Sequence, residues 1–377
     1  MAGTYKIYIS ALDVEIETEA AGFVEKVIPA TGFGDDKAVG DAIEDDDKVI
    51  SSPEWSEKVV SRSEGSDYGD LTFILNIDTH YGWEPFETHF TWAEQQNVVD
   101  HMNDIVGTAY PSPMTGSVET PAFVINPGDI IYDNENYPES LSRYLSDYGT
   151  DGTDGRLNYP VYLTIGNHDS PPSSTFQAVT DIIEAKEGSR AYRFEYGGVH
   201  FICCDLFPQS ASTLGDYYQD SHCTIAWLEQ QLKLIGTNDR IILFQHYDYE
   251  DIDDPAAGLK PGGVWWSYTD ADELLEVIDG YNIIAIMHGH NHGTVLPGAV
   301  EIYDPFQSYN VISVAKSWFA VIRITDDKLQ HAVWRPDVGN WLTSGGRLLD
   351  ITIPSRVTYG AEKSISSPTY SSDKEIL

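Results

Sequence analysis

Six short apolar runs, at residues 71–77, 122–125, 161–165, 199–204, 241–244 and 283–287, constrain this chain more than any other feature of its sequence. Runs of this length suit strands buried on both faces. Segments of helical period lie between them. Residues 92–106 put Val98, Val99, Met102 and Ile105 on one face, and 224–235 do the same with Ile225, Leu228, Leu232 and Ile235. Residues 270–279 open on Asp270 with Glu273 three positions later, the pattern of a capping box, and turn Leu274, Leu275, Val277 and Ile278 inward. Strands alternating with helices predict an α/β fold. Beyond residue 292, strand-like runs return at 300–303, 311–314, 318–324 and 329–334, and predict a second sheet packed against the first.

Five of the six runs lead at once into a polar motif. These are Asp78-Thr79-His80, Gly128-Asp129, Gly166-Asn167-His168-Asp169, His246, and His288-Gly289-His290-Asn291-His292. Ligands of open α/β sheets bind at the carboxyl ends of strands, so the five motifs are expected to converge on one edge. Together they offer carboxylates, one amide oxygen and several imidazoles, with no thiolate. Such a set suits manganese, iron, zinc or cobalt. Asp78 and His80 are one residue apart, as are His290 and His292, so each pair faces one side of an extended segment. Gly128 and Gly289 let the backbone pass close to an ion.

The order Asp-x-His, Gly-Asp, Gly-Asn-His-Asp, His, Gly-His-x-His resembles the calcineurin-like metallophosphoesterase superfamily, over roughly residues 71–335. The resemblance implies a four-layer fold, a β-sandwich flanked by helices, over residues 70–350. It implies two divalent or mixed-valence transition metal ions. One would be bound by Asp78, His80, Asp129 and His292, the other by Asp129, Asn167, His246 and His290, with Asp129 bridging. Two adjacent cations lower the pKa of a water between them and neutralise phosphoryl oxygens during displacement. His168 would help the leaving alkoxide depart, oriented by Asp133 or Asp169. The implied substrate is a phosphate ester of a small molecule or lipid head group. A phosphodiesterase acting on cyclic nucleotides or phospholipid head groups is the alternative reading, and a non-catalytic scaffold is another.

Two departures narrow the resemblance. The protein Ser/Thr phosphatases of the superfamily carry Gly-Asp-x-x-Asp-Arg-Gly, whereas this chain has Gly128-Asp129-Ile130-Ile131-Tyr132-Asp133-Asn134 and no Arg to grip phosphate. Gly-Asp-x-x-Tyr is similar to the purple acid phosphatases, where the Tyr binds ferric iron, but those enzymes lack the His of the first motif. His80 is therefore read as the ligand and Tyr132 as a neighbour that touches substrate. Asn167 and Tyr247 are further substrate contacts on this reading, and the pair Gly262-Gly263 before Trp265 could form a mobile rim.

Sixty acidic residues face 22 basic ones, a formal net charge of -38. Such a field argues against nucleic acid as a partner and requires local positive charge wherever a phosphate is to bind. Cys203, Cys204 and Cys223 read as small buried hydrophobes rather than a disulfide framework. Residues 1–69, partly alternating at 5–17 and acidic at 35–48, are expected to form a strand-containing, β-rich extension, and 351–377 a Ser-rich tail. Neither a membrane-spanning run nor a signal-peptide pattern is evident, so a cytoplasmic protein is the simplest expectation. A secreted or periplasmic one with its leader removed would look the same. The oligomeric state is not legible.

Overall fold

The computed structural model describes residues 5–9, 14–18, 70–82, 91–132, 137–169, 176–206, 224–247, 268–290, 300–303, 306–310, 318–343 and 348–353. Asp133, His292, Cys223, the acidic stretch 35–48, the Gly262–Gly263 pair, the run 311–314 and the 364–377 tail lie outside the described residues. The chain divides into two units, Met1–Glu54 and Trp55–Leu377. In the first, β1 (Tyr5–Ile9) and β2 (Val14–Thr18) form an antiparallel pair.

The second unit is built on two sheets. In chain order, its first half holds β3 (Leu71–Leu75), α1 (Trp92–Asp104), β4 (Val124–Asn126), α2 (Tyr137–Tyr148), β5 (Val161–Leu163), α3 (Phe176–Glu187), β6 (Tyr192–Tyr196) and β7 (Val199–Cys203). The second half holds α4 (Ile225–Ile235), β8 (Arg240–Phe244), α5 (Tyr268–Ile278), β9 (Ile283–His288), β10 (Val300–Tyr303), β11 (Phe306–Asn310), β12 (Phe319–Ile324), β13 (Lys328–Arg335), β14 (Asn340–Trp341) and β15 (Leu348–Thr352). One sheet runs β14-β13-β12-β3-β4-β5, with β15 also paired to β13; the other runs β10-β11-β9-β8-β7-β6.

The six apolar runs are all strands, but they divide evenly between the sheets. The strands β3, β4 and β5 are parallel neighbours in one, and β7, β8 and β9 in the other. Among the described residues, the returning runs do not build a separate sheet, contrary to the expectation from sequence. The strand β12 inserts antiparallel between β3 and β13, and β11 lies parallel to β9. The residues of β12 explain why: Phe319, Ala320, Val321 and Ile322 are fully buried, which demands a central position.

Alternation along the strands divides the core. In β8, Ile242 and Phe244 join the large cluster that includes Phe73 and Phe123 of the other sheet. Ile241 and Leu243 join a second cluster with Leu228 and Leu232 of α4 and Leu274 and Ile278 of α5. Phe73, Phe123, Phe194 and Phe201 meet between the sheets, with Phe73 and Phe123 stacked at 5.1 Å and Phe194 and Phe201 at 4.9 Å. Helices therefore pack outside a two-sheet sandwich.

Local signals set the helix starts. Thr91 caps α1 in a full capping box with Glu94, and Thr224 caps α4 by accepting from the Trp227 N–H at 3.1 Å. The helix α5 begins at Tyr268, two residues before the capping pattern at Asp270. Among the described residues, no helix is long and apolar enough to cross a membrane.

Candidate metal centre

Two sets of parallel strands aim their carboxyl ends at one place, and hydrogen bonds between the loops there show the convergence. The loop after β3 meets that after β9, where the His290 N–H donates to Asp78 Oδ1 at 2.9 Å. The His246 ring, after β8, stands between the loops after β4 and β5. Its Nδ1 lies 2.8 Å from Pro127 O and its Nε2 2.9 Å from Asn167 Oδ1. The His80 N–H donates to Asp129 O at 2.9 Å, and the His168 N–H to Asp129 Oδ1 at 2.8 Å. Asp78, His80, Asp129, Asn167, His168, His246 and His290 are thus gathered in one locus.

Asp129 is its centre. One group of donor atoms comprises His80, Asp129 and His168, another Asp129, His246 and His290, with all atoms of each within 4.8 Å of one another. Asp129 Oδ2 lies 3.3 Å from His246 Nε2 and 3.7 Å from His80 Nε2. Asn167 Oδ1 also lies 2.8 Å from His290 Nδ1. The carboxylate of Asp78 belongs to neither group; its Oδ1 lies 3.9 Å from His246 Nδ1. His168, read from sequence as a proton donor, also stands in the first group.

The electrostatics are those of buried charge. Asp78 and Asp129 are fully buried. Burial pushes the Asp78 carboxyl up to about 7, against the pull of His246. Burial also works to raise Asp129, yet the imidazoles of His246, His168 and His80 carry it well below the usual carboxylate range. Burial disfavours a charged His246, but Asp129 and Asp78 raise it to about 9. His288, also buried but not in either group, is pushed down to about 4.

These features fit a cation. The buried Asp78 Oδ2 has no hydrogen-bond partner. Asn167 Oδ1 lies within 2.9 Å of ring nitrogens of both His246 and His290, and Asp129 Oδ2 within 3.3 Å of His246 Nε2. The Pro127 carbonyl is placed to hold a proton on His246 Nδ1, which would leave Nε2 to face an ion. Oxygen and imidazole nitrogen without thiolate match the metals expected from the sequence.

The remaining predicted residues are placed less uniformly. Tyr132 stacks on His168, ring centroids 4.7 Å apart and planes 27° from parallel, and His80 meets His168 edge-on at 5.0 Å. Tyr247 is buried, 1% exposed, with its ring against His290 at 4.5 Å and His246 at 5.2 Å. Asp169 is fully buried and accepts from three backbone N–H groups, of Ile130, Ile131 and Gly166. Burial, with Asp129 nearby, pushes it up to about 7.

One residue escaped the sequence reading. Asp205 follows β7 as Asp78 and Asp129 follow β3 and β4, and it is buried with a positive φ of 43°. It accepts from Thr164 Oγ1 at 3.4 Å and lies 3.5 Å from Arg190 Nε. The signal was an acid directly after a buried run, without a histidine or glycine to mark it.

The sequence matches the family model of the calcineurin-like phosphoesterases over residues 78–294, more than half of the chain. No curated protein matches it. Among solved structures, it is similar to the anchor in the inner membrane complex of Plasmodium, at 11% identity over 76% of this chain and 90% of that chain, TM-score 0.48. It is similar to a conserved uncharacterized protein, a predicted phosphoesterase, from Streptococcus pneumoniae, at 11% identity over 75% and 98% of the two chains, TM-score 0.34. A third likeness is to Vacuolar Protein Sorting 29 from Cryptosporidium parvum, at 10% identity over 75% and 96%, TM-score 0.27.

Proposed function

Because the chain belongs to the calcineurin-like phosphoesterase family, we propose that it is a metal-dependent phosphoester hydrolase with a two-cation centre built around Asp129. The observation that carries this reading is the sharing of one buried carboxylate, Asp129, between two groups of donor atoms. We assign Asp78, His80, Asp129 and His292 to one ion, and Asp129, Asn167, His246 and His290 to the other. When bound, the pair would activate water near neutral pH and neutralise charge on the phosphoryl oxygens.

The residues of the chain supply the rest. Pro127 O orients His246, and the Asp78 carboxylate orients the loop that bears His290. His168 is partly exposed, its backbone fixed by Asp129 and its ring carried by Tyr132. These features support a role in which it holds a proton and passes it to a leaving alkoxide. With no Arg in the Gly-Asp motif, the substrate is a phosphate ester of a small molecule or lipid head group rather than a phosphoprotein.

The test is hydrolysis of p-nitrophenyl phosphate and its bis-ester by the full-length chain, with Mn, Zn and Fe added separately. Turnover with at least one metal is expected. His168→Ala should lower it by about 10²–10⁴-fold with metal content unchanged. A variant that loses an ion would make His168 a ligand. A metal-replete wild type inert toward both esters would contradict the hydrolase reading.

A further inference from the structure

We propose that Asp169 is a positioning residue that sets the spacing between Asp129 and Asn167 by fastening two backbone loops together. The inference deepens the two-cation reading and rests on it. Asp169 Oδ2 accepts from the Ile130 N–H at 3.0 Å and the Gly166 N–H at 3.1 Å; Oδ1 accepts from the Ile131 N–H at 2.9 Å. Ile130 and Ile131 directly follow Asp129, and Gly166 directly precedes Asn167. One carboxylate therefore ties the loop after β4 to the loop after β5, at the residues next to the proposed ligands.

Three features show that the seam needs such a fastening. Asp129 has a φ of 52°, in the left-handed region, and lies three residues past the end of β4, so the N–H groups after it are outside that strand. Buried N–H groups require an acceptor, and Asp169 supplies it. The loops also approach too closely for side chains between them. A Cβ on Gly128 would lie 2.5 Å from Gly166 N, and one on Gly166 would lie 2.1 Å from Asp129 Oδ1. Across the same seam the His168 N–H reaches Asp129 Oδ1. The described partners of Asp169 are backbone groups and not the His168 imidazole, so orienting that ring is not its role. A carboxylate suits the place because both oxygens accept, whereas an amide would turn its NH₂ toward an N–H donor.

The experiment is calorimetric titration of the full-length, metal-stripped chain with Mn, as wild type, Asp169→Asn and Asp169→Ala, with kcat measured at saturating Mn. Asp169→Ala should weaken Mn binding by about 10–100-fold, while saturating Mn restores most of the turnover. Asp169→Asn keeps one acceptor oxygen and should fall between Ala and wild type. If Asp169→Ala does not fold, the Asn variant alone decides. Variants with wild-type Mn affinity overturn the proposal, whether turnover at saturation falls, which would make Asp169 act in the chemistry, or stays unchanged. A wild type that binds Mn but hydrolyses no ester removes the hydrolase reading alone. A wild type that takes up no Mn overturns both.

Discussion

Among the described residues, five that are not glycine have positive φ: Asp78, His80, Asp129, Asp205 and His290. Four are proposed ligands. The left-handed region costs a side-chain-bearing residue of order 1–3 kcal/mol, and it persists only where surroundings enforce it. Here they do, because the same backbones are held by the His80-to-Asp129 and His290-to-Asp78 hydrogen bonds. Strain of this kind is invisible in a motif, although the motif names the residues that bear it. The stack of Tyr132 on His168 is likewise a matter of three dimensions. If the ring face is what matters, Tyr132→Phe should keep kcat near wild type. Tyr132→Ala should lower it by about tenfold, the upper range for an aromatic pair. Steady-state kinetics at saturating metal checks this, and a Phe variant as impaired as Ala would point to the hydroxyl instead.

The elements around the site are joined through Asp147 of α2. It is 1% exposed, and its carboxylate accepts from Tyr81 Oη at 2.9 Å, Trp92 Nε1 at 2.8 Å and Gln96 Nε2 at 3.2 Å. One acid thereby links α2 to α1 and to the loop that carries His80. Gln95 of α1 adds a second tie, donating to Thr79 O at 2.8 Å. Asp147→Ala would strand buried donors and should destabilise the fold by about 2–4 kcal/mol. Urea unfolding should show this as a lower midpoint at unchanged slope; an unshifted midpoint would sink the idea. The helices α1 and α4 were legible because Val98, Val99 and Met102, and Leu228 and Leu232, recur at helical spacing. The helix α2 was not, because it buries Tyr144, Tyr148 and Asp147 rather than an aliphatic stripe. The strands were legible as apolar runs, but their division between two sheets was not. Which strand β12 joins depends on pairing with β3, some 250 residues earlier in the chain, and no local pattern encodes that register.

At the scale of the whole molecule, the formal charge of -38 would keep an anionic ester away, and the family's chemistry requires one to approach. Cations bound at the meeting edge of the two sheets, as proposed, would resolve that conflict locally, since bound ions are the largest charges in such a site. The five motifs that announced the centre could be read from sequence because each follows a strand. Asp205 and the fastening by Asp169 could not, because their meaning lies in contacts between loops. Everything then turns on whether Asp129 joins two ions. Electron paramagnetic resonance of the Mn-loaded full-length chain, alongside elemental analysis, measures this directly. The account predicts two Mn per chain with an exchange-coupled signal, and in Asp129→Asn the loss of that coupling, of at least one ion and of hydrolysis. A single uncoupled ion in the wild type, or an Asp129→Asn variant that keeps a coupled pair, would contradict it.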